Sequence, residues 1–346
     1  MSSLKVIVGT IALLFLACGG DQDPAKNFQI ELLGNSNSLK QDDTVKVLVK
    51  DKEGNTVPGV TYSISGRELP LNDDELVFKL PDLGNQLLQA EFNWEGTSLL
   101  VNKKIRILAK NPPSLYTYEI INEFPHDIRA FTQGLEFYQD TLYESTGRKG
   151  ASYIRKVDYK TGEILQQAAL DNTYFGEGIT IMDDTAYQLS WQSGTGFMYD
   201  RGSLSEKGKF QYGKSKEGWG LCNDGKIIYK SDGTEKIWKL NPETLKEEGF
   251  IQIVTNKSVF NKANELEYVN GKIYANVWQK ESMMIIDAET GAIEGVVNFG
   301  GLKERVRQHR DLDVLNGVAY HPQRESFFVT GKNWDKLFEV RIKPKG

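Results

Sequence analysis

The sequence predicts an all-β chain, and three observations carry that prediction. Apolar and polar residues alternate over short runs between turn formers, as at Val45, Val47 and Val49, which is the period of a half-buried strand. The 33 glycines and 11% aromatic residues suit many short strands joined by tight turns. One pattern also returns five times after Phe131: a Gly-centred opening, an inner run of apolar alternation, and a hairpin ending in a basic or aromatic strand. The openings are Gln133-Gly134-Leu135-Glu136, Glu177-Gly178-Ile179-Thr180, Trp219-Gly220-Leu221-Cys222, Asn264-Glu265-Leu266-Glu267 and Asn316-Gly317-Val318-Ala319. Their second residues lie 44, 42, 45 and 52 residues apart, the spacing of a four-stranded propeller blade. The sequence therefore predicts a five-bladed β-propeller, preceded by a small immunoglobulin-like β-sandwich.

With 346 residues, 39% of them hydrophobic and 26% charged, the chain can bury more than one core, and its length fits two domains. The net charge is -5 and no Lys/Arg cluster stands out. Phosphate backbones are bound by clustered cations, so nucleic acid is excluded as a partner.

Residues 1–18 read as a targeting segment. Lys5 precedes an apolar run over 6–17 that is short for a bilayer span and stops at Ala17-Cys18-Gly19-Gly20-Asp21. This resembles a bacterial lipoprotein signal, which implies Cys18 as the lipidation site and a protein anchored to a membrane of the bacterial cell envelope, facing the periplasm or the cell surface. An ordinary cleaved secretory signal or a short buried helix is the plainer alternative. Residues 19–26, rich in Gly, Asp and Pro, serve as a tether. Cys222 is the second of two cysteines, so a lipidated Cys18 leaves no intrachain disulfide.

Residues 27–110 carry the sandwich. A hairpin turn at Asp51-Lys52-Glu53-Gly54-Asn55 and alternation over 61–64, 76–80, 87–94 and 99–108 give about seven short strands, an immunoglobulin-like density. No chemistry concentrates there, so this part reads as a spacer or docking module. Asn111-Pro112-Pro113 marks the boundary. The propeller then occupies 115–346. Its last repeat, beginning at Asn316, runs through Phe327-Phe328-Val329-Thr330 and 337–342 and ends one strand short. The apolar segment 116–124 has nowhere else to pair, so it completes that blade and hides both open edges.

Equivalent openings of a propeller converge on one end of its channel. There the residue before each centre is Gln133, Glu177, Trp219, Asn264 or Asn316, a ring of unlike polar and aromatic groups. Trp191 and Trp278 lie 14 residues after Glu177 and Asn264, which puts both on the same face, whereas Trp94 and Trp238 read as core. Glu177, flanked by two glycines and by aromatics that desolvate it, is the candidate proton carrier. A glutamate bonded to a neighbouring strand would look the same. His126, His309 and His321 have no ligand-pair spacing, so no metal site is read. Asp311 and Asp313 could help hold calcium but fit solvated or capping roles, and Ser193-Gly194-Thr195-Gly196 fits a hairpin better than a phosphate loop.

Taken in order, Phe131-Thr132-Gln133-Gly134-Leu135-Glu136, Tyr143-Glu144-Ser145-Thr146-Gly147, Phe175-Gly176-Glu177-Gly178-Ile179-Thr180, Glu217-Gly218-Trp219-Gly220-Leu221, Asn264-Glu265-Leu266-Glu267-Tyr268, Ala275-Asn276-Val277-Trp278-Gln279 and Asp313-Val314-Leu315-Asn316-Gly317 closely resemble the plant and bacterial glutaminyl-peptide cyclotransferases. The resemblance covers 115–346 and leaves out the sandwich and the signal. Lys332-Asn333-Trp334, Cys222 and Ser190 are positions where variation is expected. It implies a five-bladed propeller that converts the N-terminal Gln of peptides or proteins to pyroglutamate with loss of ammonia, without a cofactor. It favours catalysis by Glu177; the placement of the other residues fits Trp191, Trp219 and Trp278 as pocket walls, an indole N–H donating to the carbonyl oxygen, Gln133 and Asn264 binding the amide or amine, and Asn316 completing the substrate-binding ring. For these three a turn-stabilising role is the alternative. Two other functions fit the repeat: a calcium-dependent lactonase or esterase-like propeller using Glu177, Asn264 and Asn316, and a non-catalytic surface lipoprotein that binds a peptide or glycan. If Cys18 is lipidated, Cys18→Ser releases the protein from membranes with its fold intact; equal membrane partition of variant and wild type on fractionation would remove the anchor.

Overall fold

The computed structural model describes residues 23–34, 39–79 and 81–345, and these are mostly β-strand, with two short 3-10 turns. Cys18 and the apolar run before it lie outside the described residues.

The N-terminal part is two sheets. One orders Phe28–Leu33, Thr44–Asp51, Glu75–Val77 and Leu71–Asn72; the other orders Leu39–Lys40, Thr97–Leu108, Gly84–Trp94, Thr61–Ile64 and Arg67–Leu69. The strands of two or three residues, such as Leu39–Lys40 and Leu71–Asn72, are too short for alternation to reveal. Val47, Val49 and Leu76 from the first sheet and Leu88, Ala90 and Ile107 from the second are buried in one core cluster. Val254 joins that cluster from the C-terminal part. Beside it the Gln252 side chain accepts from Asn85 N and donates to Asn85 O, both at 3.0 Å, so the two parts meet through an amide as well as through apolar contact.

The strands between residues 114 and 344 come in runs of four. Three runs are separate antiparallel sheets. The other two share an eight-stranded sheet, joined where Ser114, Leu115 and Tyr116 lie parallel to Gly295, Val296 and Val297. The first strands of the runs are Thr132–Tyr138, Gly176–Met182, Leu221–Asn223, Ala263–Val269 and Leu315–His321. Each touches the next, and the last touches the first, so they form a ring. Leu135, Ile179, Leu221, Leu266 and Val318, one from each, are fully buried between sheets. The central glycines set how closely these strands approach. A Cβ on Gly220 would stand 2.0 Å from Asn264 O, and one on Gly178 would stand 2.6 Å from Leu221 N.

Ser114–Pro125 pairs antiparallel with Lys336–Pro344, so the segment 116–124 supplies the strand that the last run lacks. One buried carboxylate fastens this seam. Glu339 accepts from Asn122 of the incoming strand at 2.6 Å, from Arg324 Nε and Nη2 at 2.7 and 2.8 Å, and from Ser326 Oγ at 2.7 Å. Burial alone would raise the Glu339 carboxyl, but these donors hold it below its ordinary value. Its stabilising contribution is therefore present above the carboxylate range and is lost as pH falls through the depressed value. Glu339→Ala should cost about 2–3 kcal/mol at neutral pH, since it orphans donors to a charge. Denaturant unfolding should show the gap to wild type closing in acid.

Candidate active site

Four of the five ring strands carry a register shift at their openings: between Thr132 and Gly134, Gly176 and Ile179, Ala263 and Leu266, and Leu315 and Val318. A bulge unpairs one residue and re-aims its side chain. Gln133, Glu177, Asn264 and Asn316 all stand on these bulges. In the remaining run the strand begins only at Leu221, so Trp219 precedes it.

The bulged side chains bond to one another in sequence around the ring. Asn264 Nδ2 donates to Asn316 Oδ1 at 2.9 Å. Asn316 Nδ2 donates to Gln133 Oε1 at 3.1 Å and to Thr132 O at 2.9 Å. Gln133 Nε2 then donates to Glu177 Oε1 at 2.7 Å. Glu177 Oε2 has no hydrogen-bond partner among the described residues and is left facing the cavity.

That cavity, of about 250 Å³, is lined by Gln133, Glu177, Trp191, Trp219, Asn264 and Trp278, together with Phe131, Phe175 and Lys332. Asn316 is fully buried and does not line it, so its place is in the hydrogen-bonded chain behind the wall. Trp219 and Trp278 meet edge-on at 5.7 Å between ring centroids, and Phe175 meets Trp191 at 5.6 Å. Trp219 lies over Gly233, at φ +79°, where a Cβ would come within 2.5 Å of the indole. Trp191 and Trp219 both donate their indole N–H to Glu217, at 2.8 Å each. Trp278 Nε1 makes no hydrogen bond among the described residues, so of the three indole N–H groups only its own is open to a substrate oxygen. Trp238 is buried and donates to Asp232 at 2.7 Å, while Trp94 packs on the N-terminal core.

Phe131 and Phe175 each precede a central glycine by three residues, so reading that column of the repeat would have found them. Lys332, by contrast, lies 16 residues after Asn316, not 14, so the spacing that marks Trp191 and Trp278 does not mark it. It is 5% exposed and sits with its ammonium 4.7 Å from the Phe131 ring centroid. Burial pushes the Glu177 carboxyl well above its ordinary value, Glu217 adds to the rise, and Lys332 opposes it. Burial lowers the Lys332 ammonium, against the pull of Glu177 and Asp313. A carboxyl raised this way holds its proton more readily than an exposed one, which suits a group that must take a proton and give it back.

Other buried carboxylates on the ring strands and the strands beside them have partners away from the cavity. Glu144 accepts from Thr132 Oγ1 at 2.7 Å and from His126 Nε2 at 3.1 Å, and its pKa falls to about 2: burial opposes the fall, but Arg155 and His126 outweigh it. Glu265 replaces the central glycine of its opening and spans two neighbouring strands, accepting from Leu135 N at 3.2 Å and Val318 N at 2.9 Å. Glu267 accepts from Tyr320 N at 3.1 Å. Among the described residues, no three His, Cys, Asp or Glu side chains gather as a metal-ligand set. Glu265→Ala would strand two backbone N–H groups and should cost about 2–5 kcal/mol. Urea unfolding and activity measured together should show lost activity tracking the unfolded fraction.

A family model described as glutamine cyclotransferase matches residues 96–342. A glutaminyl-peptide cyclotransferase of Arabidopsis thaliana is 41% identical over 228 residues, spanning 65% of this chain and 71% of that protein. The crystal structure of Myxococcus xanthus glutaminyl cyclase overlays with a TM-score of 0.63 at 33% identity, covering 68% of this chain and all of that one.

Proposed function

The chain belongs to the glutamine cyclotransferase family, and from that premise we propose that its cavity converts the N-terminal Gln of peptides or proteins to pyroglutamate with release of ammonia, Glu177 carrying the proton. The observation that carries this reading is the state of Glu177: a buried carboxyl whose Oε1 is fixed by Gln133 while Oε2 faces a ring-lined cavity.

The substrate's neutral α-amine attacks its own side-chain carbonyl carbon, forming the new C–N bond and placing negative charge on the carbonyl oxygen. Glu177 Oε2 takes a proton from the attacking nitrogen and gives it to the departing amide nitrogen. The old C–N bond breaks, ammonia leaves, and the carboxylate is restored. Trp278 Nε1–H is the donor for the developing oxyanion, and Lys332 supplies positive charge near it. Asn264, whose amide donates to Asn316, keeps its Oδ1 for the α-amine. Phe131, Phe175 and the indoles grip the aliphatic part of the side chain, hold it folded back on the amine, and exclude water.

The five four-strand runs read as five propeller blades, supported by the ring order of their first strands and by the seam at Glu339. The N-terminal pair of sheets, 27–110, reads as an immunoglobulin-like spacer, and the segment ending at Cys18 as a lipid anchor that presents the enzyme in the bacterial cell envelope.

Glu177→Gln keeps shape and hydrogen-bonding capacity but cannot relay a proton. Its kcat should fall by about 10²–10⁴-fold, the usual contribution of general acid–base catalysis, with KM little changed. Ammonia release from a Gln-initiated peptide measures this. A correctly folded variant with near wild-type turnover would make Glu177 structural.

A further inference from the structure

One position in the repeat is used differently by the third run. In four runs the carbonyl three residues before the central position accepts the amide that closes the hairpin: Phe131 from Gly147 at 2.8 Å, Phe175 from Trp191 at 3.0 Å, Lys262 from Trp278 at 3.0 Å and Val314 from Lys332 at 2.9 Å. In the third run that residue is Glu217, whose carbonyl accepts the Lys230 ammonium at 3.0 Å instead. Phe131 and Phe175 contribute a ring to the cavity from this position, whereas Glu217 contributes a carboxylate behind it. Its Oε2 accepts both the Trp191 and the Trp219 indole N–H at 2.8 Å, and its Oε1 accepts the Gln192 amide at 3.1 Å. Trp191 is 38% exposed, so packing alone does not fix its ring. It belongs to the second run and Trp219 to the third, and one carboxylate ties the two walls together.

We propose that Glu217 is a positioning residue for the cyclisation, holding the Trp191 and Trp219 indoles in the arrangement that keeps a glutamine side chain folded back on its own amine. This rests on the cyclisation reading above. The geometry gives Glu217 no contact with the reacting atoms; it acts through the two rings. Burial raises its carboxyl, but the three donors outweigh burial and hold it below the ordinary range, so it stays charged where the enzyme works. That charge also reaches the catalytic group. The charged or titratable groups acting on Glu177 are Lys332, from the last run, and Glu217, from the third; Tyr212 also lies within reach of it. Lys332 favours the ionised Glu177 and Glu217 the protonated one.

The test uses the full-length protein with ¹⁵N-labelled tryptophan, whose six residues give six indole signals, together with steady-state kinetics on a Gln-initiated peptide. In Glu217→Ala two indole resonances should shift and KM should rise roughly tenfold, the loss that one charge-assisted hydrogen bond supports, with a smaller change in kcat. Glu217→Gln keeps an oxygen for the indoles and removes only the charge. Its KM should stay near wild type, while the acid limb of its kcat profile moves to lower pH, because Glu177 loses the neighbour that favoured its protonated form. Indole resonances unmoved in Glu217→Ala, or an unchanged KM there, overturn the positioning role. Should the alanine variant fail to fold, Trp191→Phe, which keeps a ring at a 38% exposed position and removes only the N–H bonded to Glu217, should raise KM in its place, and an unchanged KM there overturns the positioning role. A wild-type protein that releases no ammonia while the alanine variant still shifts two indoles would instead locate the failure in the cyclisation reading.

Discussion

A chain of side-chain amides, from Asn264 through Asn316 and Gln133 to Glu177, holds the mouth of the ring together. It crosses four of the five ring strands and runs in one direction: all three amides donate at their nitrogens, Asn316 and Gln133 also accept at their oxygens, and the carboxylate ends it as acceptor. Such a chain fixes the orientation of every member, because reversing one amide would set donor against donor. It depends in turn on the bulges, without which these side chains would follow the strand alternation into the sheet interfaces. The close approach at Gly178 and Gly220 then lets residues from separate sheets meet within hydrogen-bond distance.

The same ring shows how environment separates carboxylates of similar burial. Glu144, Glu177 and Glu265 are each 5% exposed or less. Glu144 is surrounded by His126, Thr132 and Arg155 and is held ionised. Glu265 has both oxygens on backbone amides of two neighbouring strands, so it acts as a strut. Only Glu177 combines one anchored oxygen with one that faces open space. Burial raises its carboxyl as it does that of Glu265, but Glu177 alone of the three can exchange a proton with something that enters the cavity.

Much of this was legible in the sequence because the repeat is both a structural and a chemical signal. The openings at Gly134, Gly178, Gly220, Glu265 and Gly317 located the ring strands, and the residues before them located Gln133, Glu177, Trp219 and Asn264 in the cavity. The missing strand at the C-terminus likewise located its partner at 116–124. Asn316 was legible as a member of the ring but not as one hidden behind the wall, since depth depends on the bulge and not on residue type. Lys332 was passed over because the last repeat is longer and its hairpin residue falls out of register with Trp191 and Trp278. The role of Glu217 needed three dimensions: nothing in the spacing of 191, 217 and 219 says that two indoles from different sheets share one oxygen.

The wall that Glu217 ties is also the least regular part of the cavity. Residues 212–220 carry no strand, whereas the other openings lie on strands. This lip is pinned from beneath by a buried pair. Lys230, with no exposure, lies 3.5 Å from Glu247 and donates to Glu217 O, while Glu247 accepts from Lys214 N at 2.6 Å and Ser215 N at 3.1 Å. Burial draws the Lys230 ammonium down to about 8, with Glu247 resisting the fall. A buried ion pair adds little net stability compared with apolar packing, but it sets geometry strictly. Its value here lies in direction: a segment without strand pairing is held at its backbone by Lys230 and Glu247 and at its side chain by two indoles, so the cavity keeps a fixed shape where the sheet itself supplies none.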